Sequence, residues 1–312
     1  MDLTDRIYVA GNETLVGKAL LRRLDSAGYS NIVHTSSVEP DLTDGASVNA
    51  YFEAMRPDYV FLAAGKSGGI GANQKYPADL MLNNLLIQCQ IIRSAQRHGT
   101  RKLLYLASSC SYPRSCPQPM QVRSLMTGPL ESTSEAYAMS KIAGIKLCQA
   151  YQQQHGADMI SVIPGDVFGP GDDFGLEDSH VIAALIRKMH RAKIDGAPTV
   201  EVWGSGSPRR EFIFVDDVAD AAIFLMQSYS DPTPVNLGNG SQISIKNIAE
   251  LIRKVVGYNG QLRFDPTKPD GMPLKALDSS ELMAMGWRPK VSLQRGLEET
   301  YRWFLDTTKD DV

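Results

Sequence analysis

No apolar run in the 312 residues approaches the roughly 18 needed to cross a bilayer, so no membrane span is expected. An excess of one charge is also missing. Lys and Arg number 32 against 35 Asp and Glu, a formal net charge of -3, which argues against nucleic acid or a polybasic membrane surface as the main partner. Cysteine is scarce: Cys89, Cys110, Cys116 and Cys148 make no disulfide framework and read as free thiols in a reducing, cytoplasmic setting. The five histidines (His34, His98, His155, His180, His190) form no close ligand pair and no two cysteines have metal-knuckle spacing, so no metal is expected. The opening MDLTDR carries acids where an export signal would carry bases, and export is not expected. Repeats and low-complexity stretches are absent. Hydrophobic residues at 43% and charged residues at 21% are the proportions of an ordinary globular protein.

What is present is alternation. Over the first 165 residues short apolar runs alternate with longer amphipathic stretches, the pattern of an α/β doubly wound parallel sheet with helices on both faces. Five strands are predicted, at Arg6 to Ala10, Asn31 to His34, Asp58 to Ala63, Lys102 to Ala107 and Met159 to Pro164. Ala78 to His98 and Ala136 to Gln154 read as long helices. After Pro164 the glycines and proline at Gly165, Gly169, Pro170 and Gly171 break the chain, and a domain change is placed there. Glu211 to Val215 then reads as a strand, with helices at Asp216 to Gln227, Ile245 to Val256 and Leu293 to Phe304. The division expected is residues 1–164 with a return segment 211–237, and a smaller α/β C-terminal unit of 165–210 with 238–312.

The first strand runs into Gly11-Asn12-Glu13-Thr14-Leu15-Val16-Gly17, a strand, a Gly-bounded turn and a helix, where a dinucleotide pyrophosphate would meet helix N-terminal N–H groups. Thr14 stands where a middle glycine would let backbone approach the phosphates, so a simple tight βα turn remains the alternative. With a dinucleotide bound, Asp41 and Leu42 would lie by the adenine. Further on, Tyr137 and Lys141 are four residues apart and project from one helix face, and Ser108 closes the fourth strand, where ligands of open α/β sheets collect. A lysine beside a phenol favours phenolate, and a serine can hold a carbonyl; together they would deliver a proton to an oxygen whose carbon receives hydride. The alternative is a core tyrosine with a surface lysine.

The residues as a set resemble the extended short-chain dehydrogenase/reductases and, within them, the GDP-L-fucose synthase family. The likeness is carried by Gly68-Gly69-Ile70, Tyr76-Pro77-Ala78-Asp79, Ser108-Ser109-Cys110-Ser111-Tyr112-Pro113, Glu131 to Cys148, Ser179-His180-Val181-Ile182, Val202-Trp203-Gly204-Ser205-Gly206, Arg210-Glu211-Phe212, Val215-Asp216-Asp217, Lys268-Pro269-Asp270-Gly271 and Gly286-Trp287. It implies a Rossmann-type fold, a homodimer through the two long helices, and 3,5-epimerisation with 4-reduction of a GDP-4-keto-6-deoxyhexose. It further implies Ser108, Tyr137 and Lys141 as the reductase group and Cys110 with His180 as the epimerisation acid and base. On their own Cys110 and His180 would read as a buried thiol and a helix-start histidine. As a base near neutral pH a thiol needs a charged or hydrogen-bonding neighbour, and His180 is the expected one. Coenzyme contacts are implied at Gly11 to Gly17, Asp41, Leu42, Ala63, Ala64, Gly65, Lys141, Pro164, Asp166, Val167 and His180, and substrate contacts at Lys188, Trp203, Arg210, Asp270 and Lys275.

The chain also departs from that pattern. Family members carry an arginine for the 2'-phosphate of NADP(H) where Glu13 stands, and a carboxylate suits the 2'-hydroxyl of NAD(H) instead. No arginine follows the second strand in His34-Thr35-Ser36-Ser37, and no acidic residue closes that strand. Asp166 and Ser134 replace asparagines, and Lys188 an arginine, so another keto sugar, a dideoxyhexose or 6-deoxyheptose, is a second expectation. A non-catalytic nucleotide-binding protein, suggested by Glu13 and Thr14, is a third.

Overall fold

The computed structural model describes residues 1–33, 39–175 and 179–307. In chain order the first half contains β1 (Ile7–Ala10), α1 (Leu15–Ser26), α2 (Gly45–Met55), β2 (Tyr59–Leu62), α3 (Ile70–Lys75), α4 (Pro77–Arg97), β3 (Lys102–Leu106), α5 (Glu135–His155) and β4 (Asp158–Pro164). There follow β5 (Asp166–Phe168), α6 (Val181–Ile194), β6 (Thr199–Trp203), β7 (Arg209–Arg210), β8 (Phe212–Phe214), α7 (Val215–Ser228) and β9 (Val235–Leu237). The chain closes with β10 (Ile243–Ser244), α8 (Ile245–Val256), β11 (Gln261–Asp265), β12 (Leu274–Lys275), α9 (Ser280–Ala284) and α10 (Leu293–Thr307).

The central sheet is parallel throughout, in the order β1-β2-β3-β4-β9. Side chains of a strand point alternately to the two faces. Ile7, Val9 and Phe61 accordingly enter a core with α1 and α7, while Tyr8, Ala10, Val60 and Leu62 enter a second core with α2, α4 and α5. This is the α/β doubly wound sheet expected from the alternation. The strand predicted at Asn31 to His34 is reduced to one parallel bridge, Ile32 with Ile7 on the outer edge of β1, and His34 lies outside the described residues, as do Thr35 to Ser37. A strand of one bridge gains few ladder hydrogen bonds, and apolar Ile32 and Val33 leave too little periodicity to fix its length.

A third core joins Phe168, Phe212 and Phe214 of β5 and β8 to Val200 and Val202 of β6 and to α6, α8 and α10. Here β6 pairs in parallel with β11, and β7 lies between β10 and β12. Glu211 ties these elements together from inside. Its buried carboxylate accepts the Leu277 and Gly240 N–H groups at 2.7 Å each, and burial holds it above the usual carboxylate range although these bonds oppose the shift.

Two glycines let α4 and α5 approach the sheet where the chemistry is expected. A Cβ at Gly144 would lie 2.4 Å from the Tyr105 ring, so α5 can rest on β3 only without a side chain there. The Tyr105 hydroxyl donates to Gln88 of α4, whose amide donates to the Ser140 carbonyl of α5, locking both helices to the strand. At Gly65, with φ of 151°, a Cβ would lie 2.5 Å from the Asn84 side-chain oxygen. Asn84 in turn clamps the Lys66 backbone from both sides.

Candidate active site

The glycine loop is a tight turn that excludes side chains at two positions. Gly11 has φ of 84°, and a Cβ there would lie 2.4 Å from the Ala64 Cα; one at Gly17 would lie 1.9 Å from the Gly11 oxygen. Thr14 answers the missing middle glycine. It is the N-cap of α1 at a φ of -72° that any residue adopts, and its hydroxyl donates to the Gly11 carbonyl at 2.7 Å and accepts the Gly17 N–H at 3.1 Å. Capping of this kind contributes about 1 kcal/mol to a helix. The loop borders an open cavity of about 550 Å³, lined also by Glu13, Asp41, Leu42, Ala64 and Gly65. The glycine-only close approaches, the helix start and the cavity beside them fit a dinucleotide. Asn12, Leu15 and Val16 sit in the same turn, and the Ala63 N–H belongs to the sheet, donating to the Ala10 carbonyl. Pro164 and Val167 lie at the sheet end beyond, with Val167 packed against the α1 and α7 core.

Carboxylates dominate that cavity. Glu39, six residues past Val33, accepts the Gly11 N–H at 2.7 Å and the Tyr8 hydroxyl at 2.9 Å; burial raises its pKa and the Gly11 bond opposes the rise. Glu13 is exposed and pairs with Lys18 at 3.2 Å. Asp41 accepts the Thr43 N–H and hydroxyl at 2.9 and 2.6 Å, and the hydroxyl bond brings its pKa down. Glu39 therefore puts an acidic group against the glycine loop that the strand pattern alone did not show.

Across Gly65 lies the second cluster. Its absent Cβ would meet Lys141 Nζ at 3.4 Å, so the glycine-loop cavity and the Lys141 ammonium share a wall. Lys141 Nζ donates to the Leu106 carbonyl at 3.1 Å, at the end of β3, and lies 5.9 Å from the Tyr137 ring centre. Burial brings its pKa down to about 8. The Ser108 hydroxyl neighbours the Tyr137 phenol, near enough to favour its ionised form. Helix spacing thus brings the three groups together as expected, but the expected depression of the tyrosine does not follow. Burial raises the phenol above its ordinary value, with the Cys110 sulfur adding to it, and the Ser108 hydroxyl only moderates the rise. A phenol that keeps its proton is the form a proton donor needs.

Cys110 follows Ser108 in the turn after β3, where the Ser108 hydroxyl accepts the Cys110 N–H at 3.2 Å. Its sulfur is 3.8 Å from Lys275 Nζ. Lys275 also contacts Asp166 at 2.5 Å, and Arg210 Nε approaches the other Asp166 oxygen at 3.8 Å. Burial pulls the Asp166 carboxyl upward, yet Lys275 and Arg210 prevail and hold it below the usual range. Asp166 therefore faces these cations. His180 precedes α6 as its N-cap without a side-chain capping bond. The residue is exposed, while surrounding protein lowers its pKa by desolvation, a combination that suits the wall of a cleft.

The remaining substrate candidates extend from this cluster through Arg210. Trp203, 49% exposed, has Lys188 Nζ at 5.5 Å and Lys268 Nζ at 5.4 Å from its ring. Arg210 donates to the carbonyls of Arg209 and Met272, and to that of Asp270, so most of its donors are engaged by backbone. The Asp270 carboxylate accepts the Ser205 N–H and hydroxyl at 2.7 and 2.8 Å and holds the Gly204 turn.

A model of the NAD dependent epimerase/dehydratase family matches residues 7–238. The chain belongs to this family. It is 52% identical over 304 residues to GDP-L-fucose synthase 1 of Arabidopsis thaliana, covering 97% of this chain and 94% of that protein. Its fold is similar to that of a GDP-6-OMe-4-keto-L-xylo-heptose reductase from C. jejuni, with a TM-score of 0.93, 31% identity and coverage of 98% and 99%. It is similar also to MlghC, a GDP-mannoheptose C4 reductase from Campylobacter jejuni with NADP bound, with a TM-score of 0.88, 32% identity and coverage of 97% and 99%. The likeness to GDP-L-fucose synthases expected from the motifs holds over nearly the whole chain.

For a member of the epimerase/dehydratase family, one residue of the site, Glu39, went unseen in the sequence, and two others, Lys268 and Lys275, were named without the neighbours that the fold gives them. Glu39 lies 22 positions past Gly17, close to the roughly 20-residue interval at which an acidic residue meets a ribose, a signal that was available. Lys268 was part of a recognised motif, but its place over Trp203 needs the fold. The nearness of Lys275 to Cys110 left no local trace at all. Among the described residues no His, Cys, Asp and Glu cluster could hold a metal, and no helix is long and apolar enough to cross a membrane.

Proposed function

We propose that this protein epimerises carbons 3 and 5 and reduces carbon 4 of a GDP-4-keto-6-deoxyhexose with NAD(P)H, giving GDP-L-fucose or a close relative. The observation that carries this reading is the joining of Ser108, Tyr137 and Lys141 to Cys110 at one strand end, with the glycine-loop cavity behind Gly65. Residues 1–164 with 211–237 hold the coenzyme in this reading, and 165–210 with 238–312 hold the nucleotide sugar. Lys188, Trp203, Lys268, Arg210 and Asp270 serve the nucleotide end, where cations pair a diphosphate and an aromatic face covers a base, and Lys275, 3.8 Å from Cys110, serves the sugar end.

Protons on carbons 3 and 5 are acidic because the neighbouring ketone delocalises the electron pair left behind. Cys110 and His180 act as the base and acid that remove a proton from one face and return one to the other. Ser108 and Tyr137 hold the carbon-4 oxygen throughout. The coenzyme, when bound at the glycine loop, supplies the hydride. Tyr137 gives its proton to the oxygen as the C–H bond forms, and the Lys141 ammonium stabilises the phenolate left behind.

Glu13 and Glu39 beside the adenosine end favour the uncharged 2'-hydroxyl of NAD(H) over the phosphate of NADP(H). The test is oxidation of NADH and of NADPH, followed separately, with enzymatically made GDP-4-keto-6-deoxy-D-mannose. Tyr137→Phe should lose about 10²–10⁴-fold in kcat, and Glu13→Arg should move the preference toward NADPH. Activity that survives in Tyr137→Phe would sink the reading. Asp166, in the place of an asparagine, favours a second one, a reductase or epimerase of a heptose or dideoxyhexose carried on GDP. Turnover of such a keto sugar with none of the deoxymannose derivative would select it. Coenzyme binding with no turnover of any keto sugar would leave a nucleotide-binding protein.

A further inference from the structure

A thiol serves as a base only as thiolate, and a cation within about 4–6 Å favours that form. His180 is the neighbour expected from sequence; the fold also brings Lys275 to the sulfur. Its ammonium bridges Cys110 at 3.8 Å and Asp166 at 2.5 Å, joining the turn after β3 to β5 and β12. The side chain is only 11% exposed, so the charge is poorly screened by water. Burial disfavours the ammonium, but Asp166 and Cys110 outweigh it and keep Lys275 above its ordinary pKa. Its position is set by backbone: β12 pairs with β7 in the register Lys275 with Arg210. Asp166 acts in the opposite sense, sharing the ammonium and repelling a charge on the sulfur.

We propose that Lys275 is a positioning residue that readies Cys110 as the proton acceptor of epimerisation, and that Asp166 tempers it by sharing the same ammonium. This rests on the functional reading above, in which Cys110 is the base. In the step, the C–H bond at carbon 3 or 5 breaks, its proton forms an S–H bond on Cys110, and the electron pair enters the enolate held at Ser108 and Tyr137. Nothing is oxidised or reduced. The titratable and charged groups around this site are Lys275 from β12, Asp166 from β5, Arg210 from β7, Tyr137 and Lys141 from α5, and His180 ahead of α6.

The test is alkylation of the full-length protein by iodoacetamide across pH, without substrate, read at the Cys110 peptide by mass spectrometry, with the Cys89 and Cys116 peptides as internal references. Lys275→Met should slow Cys110 labelling at pH 7 about tenfold, with Lys275→Arg restoring most of it. Asp166→Asn should speed labelling. Unchanged labelling in Lys275→Met overturns the role of Lys275, and slower labelling in Asp166→Asn overturns that of Asp166. A general loss of fold would change the reference peptides too, and the opposite signs expected of the two variants guard against it. Incorporation of solvent deuterium at carbons 3 and 5 by Cys110→Ser would reject Cys110 as base, and so the functional reading, while leaving the labelling result intact.

Discussion

Lys141 lies buried among the Tyr105 ring, the Tyr137 ring and the Leu106 carbonyl, where the loss of water outweighs the opposing effect of Cys110. Its folded pKa of about 8 lies below an unfolded value of about 10.4. At pH 7 it is charged in both states, and the burial cost is fully present. Between the two values the unfolded chain binds a proton that the native chain does not, so stability rises with pH across this window. Urea unfolding should show wild type gaining stability relative to Lys141→Met from about pH 8 to pH 10.4, and a flat difference would contradict the assignment. Tyr137 shows the complementary case. Its phenol is raised by burial and keeps its proton at neutral pH, as the donor role proposed for it requires.

At the scale of elements, the site depends on how closely α5 lies on β3. Gly144 sits three residues past Lys141, and its missing side chain is what admits the Tyr105 ring. Gly144→Ala should cost about 1–3 kcal/mol by overpacking. Because α5 must move away from the strand end that holds Ser108, kcat should fall out of proportion to the loss of melting temperature; equal, small losses in both would show that α5 can shift without disturbing Tyr137. The glycine loop is built on the same principle of close approach at Gly11 and Gly17. Thr14, which from sequence weakened the fingerprint, strengthens the turn by closing it through its hydroxyl.

For the whole molecule, α4 and α5 pack on each other and leave Leu82 and Met139 exposed at 57% and 44%. We propose that two copies associate through these helices. Sedimentation velocity should give a dimer for wild type and a monomer for Leu82→Glu, and a monomeric wild type would remove the proposal. Inside each chain, the helices from Pro77 and from Glu135 were legible because their apolar spacing persists over five turns or more, and β1 and β2 because each is an unbroken apolar run, whereas β9, with Asn236 at its centre, went unpredicted. Tyr137, Lys141 and Ser108 were legible for a similar reason: helix geometry fixes the first two on one face, and strand ends collect ligands in any open sheet.

Local pattern therefore settled the alternating fold class, the glycine turn and the shared helix face of Tyr137 and Lys141, since each follows from periodicity or spacing along the chain. Long-range packing settled the rest. Glu39 reaches the Gly11 N–H across 28 residues, and Lys275 reaches Cys110 across 165. Charges so far apart in the chain carry no shared period, and their meeting depends on strand order and on the pairing of β12 with β7. Burial, likewise a property of the packed molecule, raised the Tyr137 phenol that its lysine neighbour alone would have lowered.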